Sequence, residues 1–171
     1  ILGSYILINN NYSEGHGAGI FIDATSNINF NNSTIASNIV GEGDTFGAGI
    51  YADGGTAALV NSIVYHNNSI VYHNRREGDY GINYNLNGYT MDILDEYTVS
   101  YSDIEGDENW AGEGNINTDP LFCDTENGDF TLASNSPCAG TGQEGANIGA
   151  LEVGCAAIII YACTVEFACN Y

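Results

Sequence analysis

The chain has no lysine. Its only arginines, Arg75 and Arg76, stand against 22 aspartates and glutamates, giving a formal net charge of −20 over 171 residues. Neutralising phosphates takes a basic stripe, so this composition argues against nucleic acid as a partner. An acidic surface of this kind suits divalent cations, calcium among them, or a salty medium, and it also serves simply as a soluble, self-repelling exterior. No run of 18 apolar residues occurs, and the longest apolar stretch, near 155–165, is broken at Glu166, so no membrane span is expected. Cys-X-X-Cys is absent too, and His16, His66 and His73 all precede the first cysteine. The five cysteines, Cys123, Cys138, Cys155, Cys163 and Cys169, therefore read as disulfide formers in an oxidising compartment rather than as zinc ligands. Their odd number leaves one thiol free or paired outside the chain. A processed mature protein or a piece of a larger one is expected.

Helical periodicity is missing as well. Over residues 1–124, short strand-like segments are separated by Gly, Asn, Asp and Ser. What the chain does have is repetition. Gly17-Ala18-Gly19-Ile20-Phe21-Ile22 returns 30 residues later as Gly47-Ala48-Gly49-Ile50-Tyr51-Ala52. Asn32-Ser33-Thr34-Ile35-Ala36-Ser37-Asn38 is answered 29 residues later by Asn61-Ser62-Ile63-Val64-Tyr65-His66-Asn67. Two motifs keeping one period of about 30 residues are the signature of a solenoid. Ile28 and Phe30, flanked by Asn27, Asn29 and Asn31, alternate as a strand does, and the same slots one period later hold Ala58 and Val60. This predicts Ile28 and Phe30 buried against Ala58 and Val60, with Asn29 turned away.

Gly19-Ile20, Gly49-Ile50 and Gly81-Ile82 mark successive turns of one coil. About four or five coils fit, making a stack ~20 to 25 Å tall at the strand spacing of ~4.8 Å. Stacked parallel coils explain the asparagines, whose amides can bond to their copies one coil away, and glycines supply the turns that need positive φ. The heptapeptide Asn61-Ser-Ile-Val-Tyr-His-Asn67 is followed at once by an identical Asn68-Ser-Ile-Val-Tyr-His-Asn74. A shift of seven is odd, so a corner at Asn67-Asn68 must separate the copies. Counting the second copy as a looped-out insertion makes His66 and His73 one duplicated turn residue.

From Tyr97 onward, five motifs occur in order: Tyr101-Ser-Asp-Ile-Glu-Gly106, Trp110-Ala-Gly-Glu-Gly-Asn-Ile-Asn-Thr-Asp-Pro-Leu-Phe122, Gly128-Asp-Phe-Thr-Leu132, Asn135-Ser-Pro-Cys138 and Asn147-Ile-Gly-Ala150. They resemble the terminal coils of secreted bacterial right-handed parallel β-helix proteins. These form part of the pectate-lyase-like superfamily, which includes the polymorphic-outer-membrane-protein type of surface repeat. The resemblance spans residues 15–155. It implies an all-β, right-handed parallel β-helix over 1–152 with a disulfide-stapled C-terminal cap, located outside the cell or on its surface, and by itself no activity. Residues 153–171 form an apolar, cysteine-containing segment. Within it, Ala162-Cys-Thr-Val-Glu-Phe-Ala-Cys-Asn-Tyr171 is similar to the start of a short repeat that follows such β-helices in secreted marine bacterial proteins.

The residues give catalysis little. Lyases of this fold resemble one another in an Arg or Lys base beside calcium-holding aspartates, whereas Arg75 and Arg76 fall in an expected loop. General acid–base work needs two facing carboxylates, and the acidic residues sit in turn-like contexts such as Asp103-Ile-Glu-Gly-Asp-Glu108. Asp124, Glu126 and Asp129 have the chemistry to chelate calcium, but Asn-Gly and Gly-Asp are also plain turn chemistry. Cys123 and Cys138 flank the strand at 128–132 and would close a loop of ~16 residues, worth about 3 kcal/mol. Cys163 and Cys169 form the second expected pair, leaving Cys155 odd.

A structural or adhesive surface module, with no catalytic residues assigned, is the favoured reading. A fragment of a carbohydrate-active enzyme and a carbohydrate-binding platform built on the twelve tyrosines are the alternatives. The chain opens on strand-like residues, so the first edge needs a cover. Either an upstream coil or head-to-tail contact between Ile1, Leu2 and Tyr5 of one copy and Ile158, Ile159, Ile160 and Tyr161 of the next would provide it.

Overall fold

A computed structural model describes residues 2–41, 47–53, 55–65, 68–69, 86–88, 97–105 and 109–159. Its strands recur in a fixed order. The first pass is β1 (Leu2–Ser4), β2 (Leu7–Asn9), β3 (Tyr12–Ser13) and β4 (Ile20–Ile22). The second is β5 (Asn27–Asn31), β6 (Thr34–Ala36), β7 (Ile39–Val40) and β8 (Ile50–Ala52). The third is β9 (Thr56–Val60), β10 (Ile63–Tyr65), β11 (Asn68–Ser69) and β12 (Leu86–Gly88), and β13 (Tyr97–Ser100) and β14 (Asp103–Ile104) begin a fourth. Each strand from β1 to β10 pairs in parallel with the fourth strand further along, giving the sheets β1-β5-β9-β13, β2-β6-β10-β14, β3-β7-β11 and β4-β8-β12. The described residues are strand-rich, hold no α-helix and pair mostly in parallel, which is compatible with the all-β class expected.

The register departs from the expected one by a single residue. Ile20 pairs with Ile50, but Ile28 pairs with Ala57 and Phe30 with Leu59, not with Ala58 and Val60. The connection from β8 to β9 is one residue shorter than that from β4 to β5, so the period drops from 30 to 29 between them. Gly55 lies in the shorter connection, where a Cβ would collide with the backbone of Asp23 and the side chain of Ile22. Because side chains alternate, one residue decides which face is core. Ala57 and Leu59 are fully buried, while Ala58 and Val60 are half-buried. Phe30 is buried, Ile28 packs half-buried against the same cluster, and Asn29 is exposed, as its turning away required.

Two further expectations shift. The strand on β8 begins at Leu86, 36 residues after Ile50, whereas Gly81 and Ile82 lie outside the described residues. Asn68 and Ser69 stack in register on Ile39 and Val40, so the second heptapeptide enters the sheet as β11 instead of starting as an insertion. The corner expected at Asn67-Asn68 involves Asn67, which lies outside the described residues.

The inward column joins Ile22, Phe30, Ile35, Ile50, Leu59, Val64, Val99 and Ile104 into one apolar cluster. Between the first and second sheets the chain bends at Tyr5, Asn32, Asn61 and Tyr101, all with φ between 48° and 55°. Asparagine tolerates this left-handed conformation better than most residues, which accounts for the repeated Asn-Ser. After each of the last three comes a buried serine. Ser33 N–H donates to Ser62 Oγ (3.2 Å) and Ser62 N–H to Ser102 Oγ (3.1 Å), while each hydroxyl donates to the carbonyl two residues back. Asn115 takes the next rung, its Oδ1 accepting from Ser102 N–H. At the following corner the fully buried Asn38 accepts from Asn11 N–H and Nδ2 and donates to Ile8 O, the amide bonding between passes that the sequence predicted. Gly17 and Gly47, with φ of 66° and 64°, turn the chain before the fourth sheet.

Leu59→Ala should therefore destabilise by about 2–5 kcal/mol and Val60→Ala by about 1 kcal/mol or less. Asn38→Ala should cost about 1–3 kcal/mol by leaving Asn11 N–H unsatisfied. Equilibrium denaturation measures all three, and Val60→Ala costing more than Leu59→Ala would restore the register first expected.

Candidate functional site

The C-terminal section was expected to stack as terminal coils. It does so only through β13, β14 and a parallel bridge from Asp103 to Ile116. Beyond that, β15 (Phe122–Asp124) and β16 (Asp129–Ala133) form an antiparallel hairpin, and β17 (Val153–Cys155) lies parallel to β16. Asn127-Gly128 makes the reversal, with Gly128 left-handed at φ 80° after a 3-10 turn over Thr125–Asn127. Pairing β17 with β16 brings Cys155 to a Cα–Cα distance of 5.9 Å from Cys123, and these two form the disulfide. The expected Cys123–Cys138 pair is thus corrected: Cys138 is a buried free thiol. Cross-linking residues 32 apart is worth ~4 kcal/mol by chain entropy. Cys163 and Cys169 lie outside the described residues.

This stapled sheet covers the outward side of the second sheet. Phe122, Phe130, Leu132, Cys138 and Ile148 cluster with Ala36 and Ile63, and Leu7 and Tyr65 pack at the margin. The Asn-Ser-Pro-Cys and Asn-Ile-Gly-Ala motifs perform the docking. Ser136 Oγ donates to Pro120 O (2.6 Å) and accepts from Cys138 N–H, while Ile148 N–H donates to Cys138 O. Gly149 N–H donates to Asn61 O, Ala150 N–H to Thr34 Oγ1, and Asn32 Nδ2 to Asn147 O. A Cβ on Gly149 would come within 2.7 Å of Ile63 Cδ1, so only glycine permits the approach.

Asp103 sits at the centre of that interface. It is fully buried in β14, in the outward column that holds Thr34 and Ile63 in earlier passes. Its Oδ1 accepts from Thr118 N–H (3.1 Å) and its Oδ2 from the Cys138 thiol (3.2 Å). Burial lifts the carboxyl to about 7; the two hydrogen bonds oppose that shift, and Asp119 and Glu105 add to it. Burial raises the Cys138 thiol, with Asp103 adding to the effect, and it pushes Tyr65 up to about 12. A strongly shifted group is a functional candidate in principle. Here the carboxyl is spent on holding the C-terminal section to the stack. The sequence placed Asp103 in a turn-like context. Aligning Tyr101-Ser-Asp-Ile with Asn61-Ser-Ile-Val would have put it in the column of Ile63.

The other candidates are separated. Asp124 accepts from Asn127 N–H and Nδ2, Asp129 accepts from the N–H and hydroxyl of Thr131, and Glu126 is exposed on the 3-10 turn. Asp124 and Asp129 oppose each other across the hairpin, each bound into its own turn. Among the described residues no group of three or more His, Cys, Asp or Glu gathers as metal ligands. Tyr5 and Ile159 are both 69% exposed, and Asn135 brackets the backbone of Ile158 with hydrogen bonds of 2.8 and 2.9 Å. In the described part of the apolar tail, Ala156, Ala157 and Ile159 are exposed. Leu2 lies in β1, on an outer edge of the first sheet. Ile1, Ile160, Tyr161, His66, His73, Arg75 and Arg76 lie outside the described residues. No helix among the described residues is long and apolar enough to cross a membrane.

The outward face of the fourth sheet carries aromatic rings. Phe21 and Tyr51 are partners across β4 and β8, with ring centroids 5.6 Å apart, and His16 lies nearly flat on Tyr51 at 4.4 Å. Tyr51 is covered, while Phe21 is 51% exposed. No protein-family model, curated protein or solved structure matches the chain.

Two outcomes are expected. An acid whose folded value stands above its unfolded 3.8 holds its proton more tightly when folded, so stability falls as pH rises from about 4 to 7 and then levels off. Asp103→Asn should remove this slope and be more stable than the parent at pH 8, by at most about 4 kcal/mol. Thermal melts of both proteins from pH 4 to 8 decide it, and an unchanged slope in the variant overturns the assignment. In non-reducing peptide maps, Cys123 should appear joined to Cys155, with Cys138 alkylated only after unfolding.

Proposed function

We propose that the chain is a right-handed parallel β-helix module of the pectate-lyase-like kind, with a structural or adhesive role at a cell surface or outside the cell. The observation that carries this is the pairing of each strand from β1 to β10 with the fourth one on, in parallel, in four sheets. A β-strand, crossover, parallel β-strand connection is right-handed in nearly all proteins, which sets the hand. The disulfide and the acidic composition support an oxidising, extracellular setting. The repeated residues serve the stack: Asn and Ser ladders, left-handed corners and an apolar column hold pass upon pass. A carbohydrate-binding platform is the second reading, favoured by the exposure of Tyr12 (63%) and Phe21 (51%).

Among the described residues, β1 to β4 pair on one side only, which leaves a row of backbone donors and acceptors for another pass or another copy. Head-to-tail contact between Tyr5 at that edge and the exposed Ile159 of another copy gives an open, extending assembly. Light scattering of the 171-residue chain should show association that grows with protein concentration and, because copies repel, with salt. Tyr5→Lys should shift it toward monomer. A monodisperse monomer at all concentrations and salts would overturn the self-associating form of this reading.

A further inference from the structure

We infer that the outward face of the fourth sheet binds a cationic peptide segment, with an arginine guanidinium lying on the ring of Phe21 and paired with the carboxylates of Asp23 and Asp53. Side chains at i and i+2 of a strand share a face. Phe21 and Asp23 stand in that relation, as do Tyr51 and Asp53 in the strand stacked on it. Asp53 N–H donates to Ile22 O (2.7 Å), so the ladder continues one residue past the strand and keeps the two aspartates adjacent. The face therefore presents an aromatic column beside an acidic one, about 6.6 Å apart along the strand.

Each part has a defined state. Tyr51, 3% exposed, is sandwiched under His16 and beside Phe21, and so forms the rigid floor. Phe21 offers its exposed half to solvent. Asp23 is fixed by Thr25 N–H, Thr25 Oγ1 and Ser26 Oγ, and the Ser26 hydroxyl above all holds its carboxyl below the usual range, so it stays ionised in mild acid. Asp53 is exposed. A planar cation satisfies both columns at once, stacking on the ring and pairing with carboxylate, and arginine does this better than lysine.

The occupant follows from charge. The protein carries −20, with 22 acidic residues against two arginines, so a second copy is repelled from this face by its net charge. Anionic lipid surfaces are repelled for the same reason. A neutral sugar would use the ring and leave the acidic column idle. The inference rests on the adhesive reading only in saying what such a module holds on to.

The test is calorimetric titration of the full chain with capped tri-arginine, tri-lysine and a neutral glucose hexasaccharide at physiological salt. Tri-arginine should bind more tightly than tri-lysine. Phe21→Ala should weaken it about two- to fivefold, and Asp53→Asn by a similar factor. Glu126→Gln, which removes one exposed charge from the distant hairpin, should change nothing. Phe21→Leu keeps apolar cover without the ring and should behave as Phe21→Ala, which guards against an unfolded variant. If Phe21→Ala and Asp53→Asn bind like Glu126→Gln, the attraction is diffuse and the site is refuted. Phe21-dependent binding of the hexasaccharide without peptide binding refutes it in favour of the carbohydrate platform. A monomer in light scattering that still binds tri-arginine through Phe21 refutes the self-associating reading and leaves this one standing.

Discussion

The structure depends on the hydrogen-bond ladder between successive passes of the chain. A single pass cannot satisfy its own backbone: Tyr5 N–H finds Asn31 O, Asn32 N–H finds Val60 O, and Asn61 N–H finds Ser100 O, always in the pass stacked upon it. Unpaired buried backbone groups are costly, so each pass is stable only with its neighbour in place. Everything repeated in the sequence holds that pairing in register. The left-handed corners set where each strand begins, Ser33, Ser62 and Ser102 tie corner to corner, and the Asn11–Asn38 pair closes the next bend. The change of period from 30 to 29 is absorbed in a connection, next to Gly55, and the core column beyond it remains inward.

The four sheets then part ways chemically. The second has apolar and small residues on its outward side, and the C-terminal section covers it. Covering it buries Asp103 beside Asp119 and Glu105, with no lysine or arginine among the described residues, so that interface is weaker at high pH than a neutral residue would make it. The thiol of Cys138 and the amide of Thr118 offset part of this cost. On the outward side of the fourth sheet Tyr51 is covered, while Phe21 is half exposed and Asp23 and Asp53 are exposed. One flank of the stack is thus closed by its own chain.

Much of this was legible in the sequence, and for a local reason. Apolar alternation in Asn27-Ile-Asn-Phe-Asn31 and the paired Gly-Ala-Gly-Ile motifs are short-range patterns, and they fixed strands, parallel stacking and a period near 30. The register slipped by one residue because the two motifs differ in spacing, 30 against 29, and only the stacked connections show where the residue is lost. Asp103 was misplaced because Ile-Glu-Gly after it looks like a turn, whereas the ladder from Ser62 carries it into a sheet.

What the sequence determined by itself was everything that recurs: alternation, period, corner residues, acidity and the supply of cysteines. What only the tertiary structure decided was how the non-repeating third of the chain lies against the rest. Cys155 reaches Cys123 although β16 lies between their strands, where the pairing of β16 on both sides departs from regular register. Cys138 is withdrawn from pairing because it faces Asp103, and Asn147 meets Asn32 across 115 residues. Such contacts leave no periodic trace. They depend on the direction in which the chain folds back after its last stacked strand, and that direction is set by the fit of an apolar sheet to an apolar flank.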